Sequence, residues 1–461
     1  MKTQFITKYL TVLISLLCYV FLYYVIDRSE FLFLISGISI LGGVYFYWLK
    51  TNPFSITEII GIAIILRIAL LFATPNFSDD FNRFLWDGEI IRAGENPYEN
   101  NPSFYYVLWE NFNPENPEKI KELDHLKGLY HNLNSKGYYT VYPPVNQAIF
   151  SSSVYLGGSN VFYSVLWMKV FILLFEIGLI FLLFKMLRKL KMKESLAQIY
   201  ALNPLVILEL TGNVHFEGVM LFFFMLGLYS LLYNRIVLSG LAIALAINTK
   251  IVPLLFLPLF LPLLGMVKSI KLYVTIGVLS LLMVVPFISD IVVNNFSQSL
   301  ELYFQSFEFN ASFYYLFKGI SYAFLDYKTS VIGDLIPIIV FLFGMFMTYK
   351  LYIKKANSDL TDFDLKSFVS YAIPLMFVFY LLASTIHPWY VINLVILCVF
   401  IKNRAILIWS ILIFLSYFAY SNYINENHDG NFHNSFWYYF IVTIQYSIVL
   451  FFYIFERRKT I

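Results

Sequence analysis

The most constraining feature of this sequence is a series of apolar runs, many of about twenty residues, the length an α-helix needs to cross a bilayer. Charged residues make up only 13% of the 461-residue chain. Soluble domains carry about 25% charged residues, so this chain lacks the polar surface that a water-exposed fold requires. The sequence therefore predicts an all-α, polytopic transmembrane helical bundle with about 12–14 spans.

The apolar runs continue through the whole chain without an intervening soluble domain, so we expect one integral membrane domain over residues 1–461. The amino-terminal run is longer than the apolar region of a signal peptide and lacks a small-residue cleavage site, so it is interpreted as the first span. The runs 236–249, 251–266 and 388–401 are short for a full crossing. The predicted spans are 9–26, 31–48, 56–73, 161–184, 194–211, 216–233, 236–249, 251–266, 271–289, 330–351, 366–385, 388–401, 405–421 and 436–455.

The distribution of basic residues predicts the orientation of these spans. If the amino terminus is cytoplasmic and the spans alternate, most Lys and Arg residues of the short loops fall on the cytoplasmic side, as the positive-inside rule requires. Both termini are then cytoplasmic. The segments 74–160 and 290–329 become two long extracytoplasmic loops, and 422–435 lies on the same side.

The first of these loops opens with "SDDFNRFLWDGEIIRAGENPY", which holds Asp79, Asp80 and Asp87. Adjacent carboxylates repel each other and partial burial disfavours their charge, so one of the pair is expected to have a raised pKa, as a general base does. The alternative is a helix N-terminus, because acidic residues there cap the helix and suit its dipole. The spacing of aromatic and aliphatic residues from Phe81 onward predicts an amphipathic helix at the membrane interface.

Other polar residues lie at the ends of separate spans. Each of them has either a role in binding or a structural role, and both alternatives stay open. The structural roles are termination of a helix, snorkelling of a long side chain and membership of an aromatic belt. A lysine at membrane depth is usually functional. These residues are Asn213, His215 and Glu217 in "GNVHFEG", Lys250 in "AINTKIVPLLF", and His387 and Tyr390 in "STIHPWYVI".

The predicted topology gathers all of these groups on the extracytoplasmic face. Cations there would hold a phosphate and a carboxylate would accept a proton, a combination that suits a reaction on a lipid-linked anion. Arg67 and Glu176 lie deep within spans, where they either form an ion pair or line a cavity.

The sequence offers little sign of a bound cofactor. It lacks a Gly-rich phosphate loop of the P-loop or Rossmann kind, and Cys18 and Cys398 both lie within apolar runs. We therefore predict no metal site and no cofactor, although Asp79 and Asp80 suit weak binding of a divalent cation. Nothing in the chain suggests a nucleic-acid partner.

Several motifs occur in an order that resembles the GT-C superfamily of membrane glycosyltransferases, which use polyprenyl-phosphate sugars as donors. The chain is most similar to the bacterial polyprenol-phosphate-mannose mannosyltransferases and to the catalytic subunit of GPI mannosyltransferase I. The similar stretches, which reach from about 74 to 400, are "SDDFNRFLWDGEIIRAGENPY", "YYTVYPPVNQAIF", "LNPLVILELTGNVHFEGVML", "SGLAIALAINTKIVPLLFLPLFL", "FEFNASFYYLF" and "STIHPWYVINLVIL". About three spans precede the first loop, whereas many members of the superfamily have one.

The resemblance implies an inverting transfer of a hexose, with mannose the commonest sugar of these families, from a polyprenyl-phosphate donor to an extracytoplasmic glycolipid, polysaccharide or other glycan in a bacterial cytoplasmic membrane. It implies Asp80, followed three residues later by Arg83, as general base, with Asp79 as the alternative. Residues implied in contacts with donor phosphate or substrate are Arg83, Lys250, His387, His215, Tyr390, Asp87, Asn213, Glu217 and Tyr142 of the Tyr-Pro-Pro motif.

A transporter, flippase or ligase of lipid-linked saccharides is the alternative function. A transporter would place polar residues along a path through the membrane, with repeat symmetry. Here the polar residues collect on one side, which favours the enzyme.

Overall fold

The computed structural model describes residues 2–110, 117–158, 160–295, 307–324, 330–357 and 363–458. Over these ranges the chain is helical and contains no β-strand, only an isolated bridge between Phe309 and Thr385. The predicted all-α class is confirmed. Residues 296–306 and 325–329 of the second predicted external loop lie outside the described ranges.

The amino-terminal half begins with two long helices and continues through the first predicted external loop, which is itself helical. Its α-helices are α1 (Lys2–Tyr24), α2 (Phe31–Thr51), α3 (Ile56–Ile68), α4 (Asp80–Arg92), α5 (Pro102–Glu110), α6 (Pro117–His131), α7 (Pro144–Gly157), α8 (Val161–Lys189), α9 (Gln198–Ala201) and α10 (Pro204–Val206).

The second half alternates long helices with short helices and 3₁₀ segments. Its α-helices are α11 (Glu217–Leu231), α12 (Ile236–Ile247), α13 (Phe260–Leu264), α14 (Met266–Val284), α15 (Phe313–Phe324), α16 (Ser330–Ala356), α17 (Leu365–Leu382), α18 (Ile392–Leu397), α19 (Arg404–Leu412), α20 (Asn422–His428) and α21 (Phe436–Arg458). The 3₁₀ helices of the chain are Glu194–Ala197, Val252–Leu259, Val285–Phe287, Pro388–Val391, Ile413–Tyr420 and Phe432–Asn434, and Ile207–Gly212 is a π-helix.

Eight helices in the described ranges are long and apolar enough to span a membrane. A ninth span arises if Pro204–Gly212 and Glu217–Leu231, bent by 114°, count as one broken crossing. The weak predicted spans are indeed short helices, at Ile236–Ile247, Val252–Leu264 and Pro388–Leu397. Eight long helices, one bent pair and three short ones together make twelve apolar elements. The difference from fourteen has two sources. The predicted spans 194–211 and 216–233 overlap the bent pair, and the predicted span 56–73 contains only the 13-residue helix α3, which is not among the twelve elements.

Helix α4 differs from the predicted amphipathic interfacial helix, because residues 81–90 are buried on every side. Its neighbour α7 approaches so closely that a Cβ at Gly88 would lie 2.8 Å from the Phe150 carbonyl oxygen. The rings of Phe84 and Phe150 stack with centroids 4.7 Å apart. Arg83 pairs with Asp87 and Arg92 pairs with Glu89 within the helix, so most charges of α4 are neutralised locally and the helix packs inside the protein.

Arg67 of α3 and Glu176 of α8 form the ion pair that was one of the two expectations for them, and both side chains are fully buried. Arg67 Nε and Nη2 donate to the two carboxylate oxygens of Glu176 at 2.9 and 3.0 Å. Arg67 Nη1 also donates to the Ala201 carbonyl at 2.8 Å. The Glu176 carboxylate accepts from Thr211 and Tyr200 at 3.2 and 3.3 Å. The pair therefore joins α3, α8 and the chain around residue 200.

We predict that Glu176→Gln destabilises the protein strongly. Removing one partner leaves the Arg67 guanidinium buried without its countercharge, which costs about 3–5 kcal/mol. Thermal unfolding in detergent measures the change. Glu194→Gln, which removes the partner of the exposed Arg188, serves as control and is expected to leave the melting temperature unchanged. Equal melting temperatures for the two variants would contradict the prediction.

Candidate active site

Asp79 and Asp80 open α4, and each carboxylate has its own partner. Asp79 occupies the N-cap position without making a capping hydrogen bond. Its Oδ2 accepts from Arg28 Nη2 at 2.5 Å, and the Arg28 guanidinium lies over the Tyr420 ring at 4.8 Å. Asp80 Oδ1 accepts only a weak hydrogen bond, from Asn134 Nδ2 at 3.3 Å. The adjacent acids are therefore distinguished by their neighbours: one is paired with a cation and the other is not.

The environment of Asp80 favours its protonated form. The side chain is half-buried, and burial raises the pKa of the carboxyl above its ordinary value. The hydrogen bond from Asn134 and the charge of Lys250 lower this pKa, whereas the charge of Asp79 raises it further. The net result is a carboxyl that takes up a proton more readily than an exposed aspartate does.

The segment that leads into Asp79 and Asp80, called the acidic loop here, is held in place by the side chain of Asn213. Asn213 Oδ1 accepts from the Phe77 backbone N–H at 3.1 Å, and its Nδ2 donates to Glu209 Oε2 at 2.9 Å. Glu209 Oε1 in turn accepts from the Tyr417 hydroxyl at 2.8 Å. The polar side chains of Asn213, Glu209 and Tyr417 are all buried. Asn213 thus supports the loop that carries Asp79 and Asp80.

A sharp bend in the chain places His215. The π-helix Ile207–Gly212 ends at Asn213, and Val214 follows with φ of 64°. A β-branched residue in the left-handed region is a genuine outlier, and π-helical turns and such strain concentrate at functional sites. The helical segments on either side are bent by 114°, and His215 lies between them. The charge of Lys250 acts on both His215 and Asp80.

Three rings are stacked beside the acids. The Trp389 ring lies between His215 and His387, with centroid distances of 3.6 and 4.4 Å. His387 stacks on Phe309 at 4.9 Å with its other face. Burial, aided by the charge of Lys250, lowers the pKa of His387 to about 3. His387 is therefore neutral at physiological pH and is suited to hydrogen bonding, not to pairing with a phosphate as a cation.

Lys250 is the cation of this region. It forms an ion pair with Glu217 Oε1, and 18% of its side chain is exposed against 1% for Glu217. Its ammonium lies 5.9 Å from the centre of the Tyr390 ring. Its charge influences both Asp80 and His387. The structure therefore brings together Asp80, Lys250, Glu217, His215 and His387, which the sequence places in separate segments.

Arg83 and Asp87 form a second, neighbouring cluster. Arg83 Nε donates to Asp87 Oδ1 at 2.8 Å, and Arg83 Nη1 donates to the Tyr138 carbonyl at 2.8 Å. Asp87 Oδ2 accepts from Thr140 and from Gln147, the latter at 3.0 Å. Both residues thus secure the loop after α6, the same loop that presents Asn134 to Asp80. This geometry assigns them to holding that loop in place.

Tyr142 lies at the end of the same loop. Its ring meets Phe84 edge-on, with centroids 5.0 Å apart, and its carbonyl accepts from the Tyr98 hydroxyl at 2.7 Å. The Tyr-Pro-Pro motif therefore packs the start of α7 onto α4.

Several residues of the site were not identified from the sequence. Arg28 follows the first span within a short loop on the predicted external side, which is a usable signal for it. Trp389 adjoins the identified His387. Asn134, Glu209 and Tyr417 carry no comparable signal, because their roles depend on contacts between distant segments.

Within the described ranges, no group of three or more His, Cys, Asp or Glu side chains is arranged to hold a metal ion. The Asp79 and Asp80 pair alone offers fewer ligands than a divalent cation usually takes from protein and water together.

The described residues form a bundle with eight helices that are long and apolar enough to span a membrane, and an acidic pair opens α4 in its first long loop. Residues 28–266 match the family described as Alpha-(1->6)-mannopyranosyltransferase, N-terminal domain. This match spans more than half of the chain, and the chain belongs to this family of mannosyltransferases. The matched region contains both acids and Lys250 but ends before His387. No curated protein matches the chain.

We predict that Gly212→Ala lowers activity. A methyl group at position 212 would overlap the hydroxyl of Tyr23, which donates to the Leu208 carbonyl at 2.6 Å. Either the tyrosine or the π-helix must shift, and that shift moves Asn213 and His215. Mannosyl transfer in purified protein measures the effect.

Gly61→Ala in α3 is the matched control, because a methyl group there meets nothing within 4 Å. It is expected to keep full activity and to gain up to about 1 kcal/mol of stability from its better helix propensity. Full activity of Gly212→Ala would show that the π-helix does not position the site.

Proposed function

We propose that this protein transfers a mannosyl residue from a polyprenyl-phosphate donor to a hydroxyl of an extracytoplasmic glycolipid or glycan, with inversion at the anomeric carbon and Asp80 as general base. One observation carries this proposal: Asp80 is half-buried within the electrostatic influence of Lys250, and none of the basic side chains described forms an ion pair with it. A base needs a carboxylate that is free to accept a proton. The family name suggests an α-(1→6) linkage in the product.

The choice between the two acids follows from their partners. Asp79 forms an ion pair with Arg28, so its carboxylate is already engaged by a cation. Among the described residues no cation forms an ion pair with Asp80, and burial raises its pKa. Asp79 and Arg28 together form a fixed wall of the site, and Asp80 performs the proton transfer.

In the reaction, the acceptor hydroxyl donates a hydrogen bond to the Asp80 carboxylate. The hydroxyl oxygen attacks the anomeric carbon as its proton passes to Asp80. The bond between the anomeric carbon and the phosphate oxygen breaks on the opposite side, and its electron pair leaves with polyprenyl phosphate. One base without a partner nucleophile gives inversion, by the reasoning applied to glycosidases. An α-linked product therefore requires a β-linked donor.

Lys250 is the group suited to the donor phosphate. Its side chain is partly exposed, and its bond to Glu217 keeps it in place before the donor arrives. An ammonium placed where negative charge develops on the leaving group stabilises the transition state. His215 and His387 border the same space as rigid, stacked rings. The neutral His387 supplies hydrogen bonds to phosphate or sugar oxygens.

The sidedness of the site rests on the distribution of basic residues. With both termini in the cytoplasm, the positive-inside rule places α4 and the Lys250 region on the extracytoplasmic face. A polyprenyl-phosphate donor then lies with its chain in the bilayer and its sugar at that face. The bacterial cytoplasmic membrane is the location that suits this arrangement.

We predict that Asp80→Asn lowers kcat by about 10²–10⁴-fold, the usual contribution of a general base. Asp79→Asn is the matched control, since it removes the neighbouring charge and leaves the base. It is expected to retain most of the turnover. The assay uses purified protein with radiolabelled polyprenyl-phosphate mannose and a mannooligosaccharide acceptor. Near-normal turnover in Asp80→Asn would overturn the assignment of the base.

We further predict the pH dependence of kcat/KM. Asp80 must be deprotonated to act, so activity falls as the pH falls through its pKa. Because that pKa is raised, the fall begins at a higher pH than the ordinary aspartate value of about 3.9 would give. Asn134→Ala removes a hydrogen bond that stabilises the carboxylate and is expected to shift the acid limb to still higher pH.

Asn132→Ala, in the same exposed loop, provides the control and should leave the limb unchanged. If the acid limb of the pH profile is unchanged in Asn134→Ala, the group that titrates there is not Asp80.

A further inference from the structure

Lys169 is a buried lysine that the proposed reaction does not use. It lies in the span α8, eight residues after Val161, which places it roughly 12 Å along the helix at 1.5 Å per residue. Its side chain is completely buried. None of the carboxylates described forms an ion pair with it, so its charge is accommodated in another way.

The ammonium of Lys169 binds two carbonyl groups in the turns that follow α3. Lys169 Nζ donates to the Leu70 carbonyl at 2.9 Å and to the Ala73 carbonyl at 2.6 Å. These residues come two and five positions after Ile68, the last residue of α3. Buried backbone carbonyls outside a helix need other donors, and the fully buried Lys169 supplies them. Lys169 therefore stabilises the turns that connect α3 to the acidic loop.

The same face of α8 carries a second connection to α3. Glu176 follows Lys169 by seven residues, which is two helical turns, and binds Arg67. Lys169 thus binds the turns that follow α3, while Glu176 binds Arg67 in the last turn of the helix. The two contacts prevent α3 from sliding or rotating against α8.

The end of α3 leads directly into the acidic loop. Ala73 precedes Asp79 by six residues, and the chain between them is held at two points. Asn76 Nδ2 donates to the Ile26 carbonyl, and the Phe77 N–H donates to Asn213 Oδ1 at 3.1 Å. The position of the Ala73 carbonyl therefore determines where the loop begins.

We infer that Lys169 is a positioning residue for the reaction: by binding the Leu70 and Ala73 carbonyls it sets the location of Asp80. This inference rests on the proposed function, in which Asp80 is the base. Lys169 itself does not contact substrate. A displacement of about 1 Å at a reacting group can lower a rate by about 10²-fold, so loss of this contact affects kcat.

The test compares Lys169→Met with Lys185→Met in the purified full-length protein. Methionine keeps the length of the side chain but removes the charge and the donors. Lys185 lies on the exposed cytoplasmic end of the same helix. We expect Lys169→Met to lower kcat by about 10–100-fold with unchanged KM for polyprenyl-phosphate mannose, and Lys185→Met to behave as the unmodified protein. Turnover is expressed per monodisperse, folded molecule.

A double-mutant cycle separates positioning from general damage. Asp80→Glu retains a carboxylate in a displaced position and supplies a measurable reduced rate. If Lys169 acts through Asp80, adding Lys169→Met to Asp80→Glu lowers the rate by much less than it does alone. Additive losses would overturn the inference, as would normal kcat in Lys169→Met.

Two further measurements keep the test decisive. If Lys169→Met does not fold, Lys169→Gln, whose amide retains a donor, replaces it and is expected to show the same loss of kcat in weaker form. Normal kcat in that variant overturns the inference. Active Asp80→Asn protein would instead overturn the proposed base, whereas inactive Asp80→Asn with normal Lys169→Met would overturn only the role of Lys169.

Discussion

Glu176 meets Arg67 in the interior of the bundle, where each polar group needs a partner because water is absent. Both side chains are fully buried, and between them they bind α3, α8 and the chain around residue 200. A charge left alone there would be costly, so the pair fixes which faces of α3 and α8 meet. The acidic loop begins where α3 ends, and the π-helix begins shortly after Ala201. The placement of the site therefore depends on this interaction.

Two neighbouring carboxylates acquire different properties in this framework. Asp79 forms an ion pair with Arg28, whereas Asp80 is half-buried with a raised pKa. The difference does not arise from the acids themselves but from the side chains that other segments bring to them. The two cations Lys250 and Arg83 also differ because of their neighbours. Lys250 is partly exposed near Asp80, whereas Arg83 donates hydrogen bonds to Asp87 and to backbone carbonyls. The chemical properties of each of these side chains are thus determined by the residues packed around it.

The sequence was informative where a residue stands out from its local background. Deep charges in apolar runs indicated an ion pair of Arg67 and Glu176 as one of two alternatives, and short apolar runs predicted the short helices. The burial of α4 could not be predicted, because its charges resemble a solvated face until their ion pairs are known. The bend at Val214 was equally hidden, since no pattern signals a left-handed valine. Contacts such as Asn134 with Asp80 depend on the final packing of distant loops.

The stack of His215, Trp389 and His387 connects the part of the chain that matches the family with the part beyond it. Because both faces of the indole are covered, neither histidine can change its tilt without disturbing the other. The carboxyl-terminal region is therefore a structural component of the candidate site, not an appendage to it. Amino-acid replacements on the two sides of this stack are consequently constrained to occur together during the divergence of such enzymes.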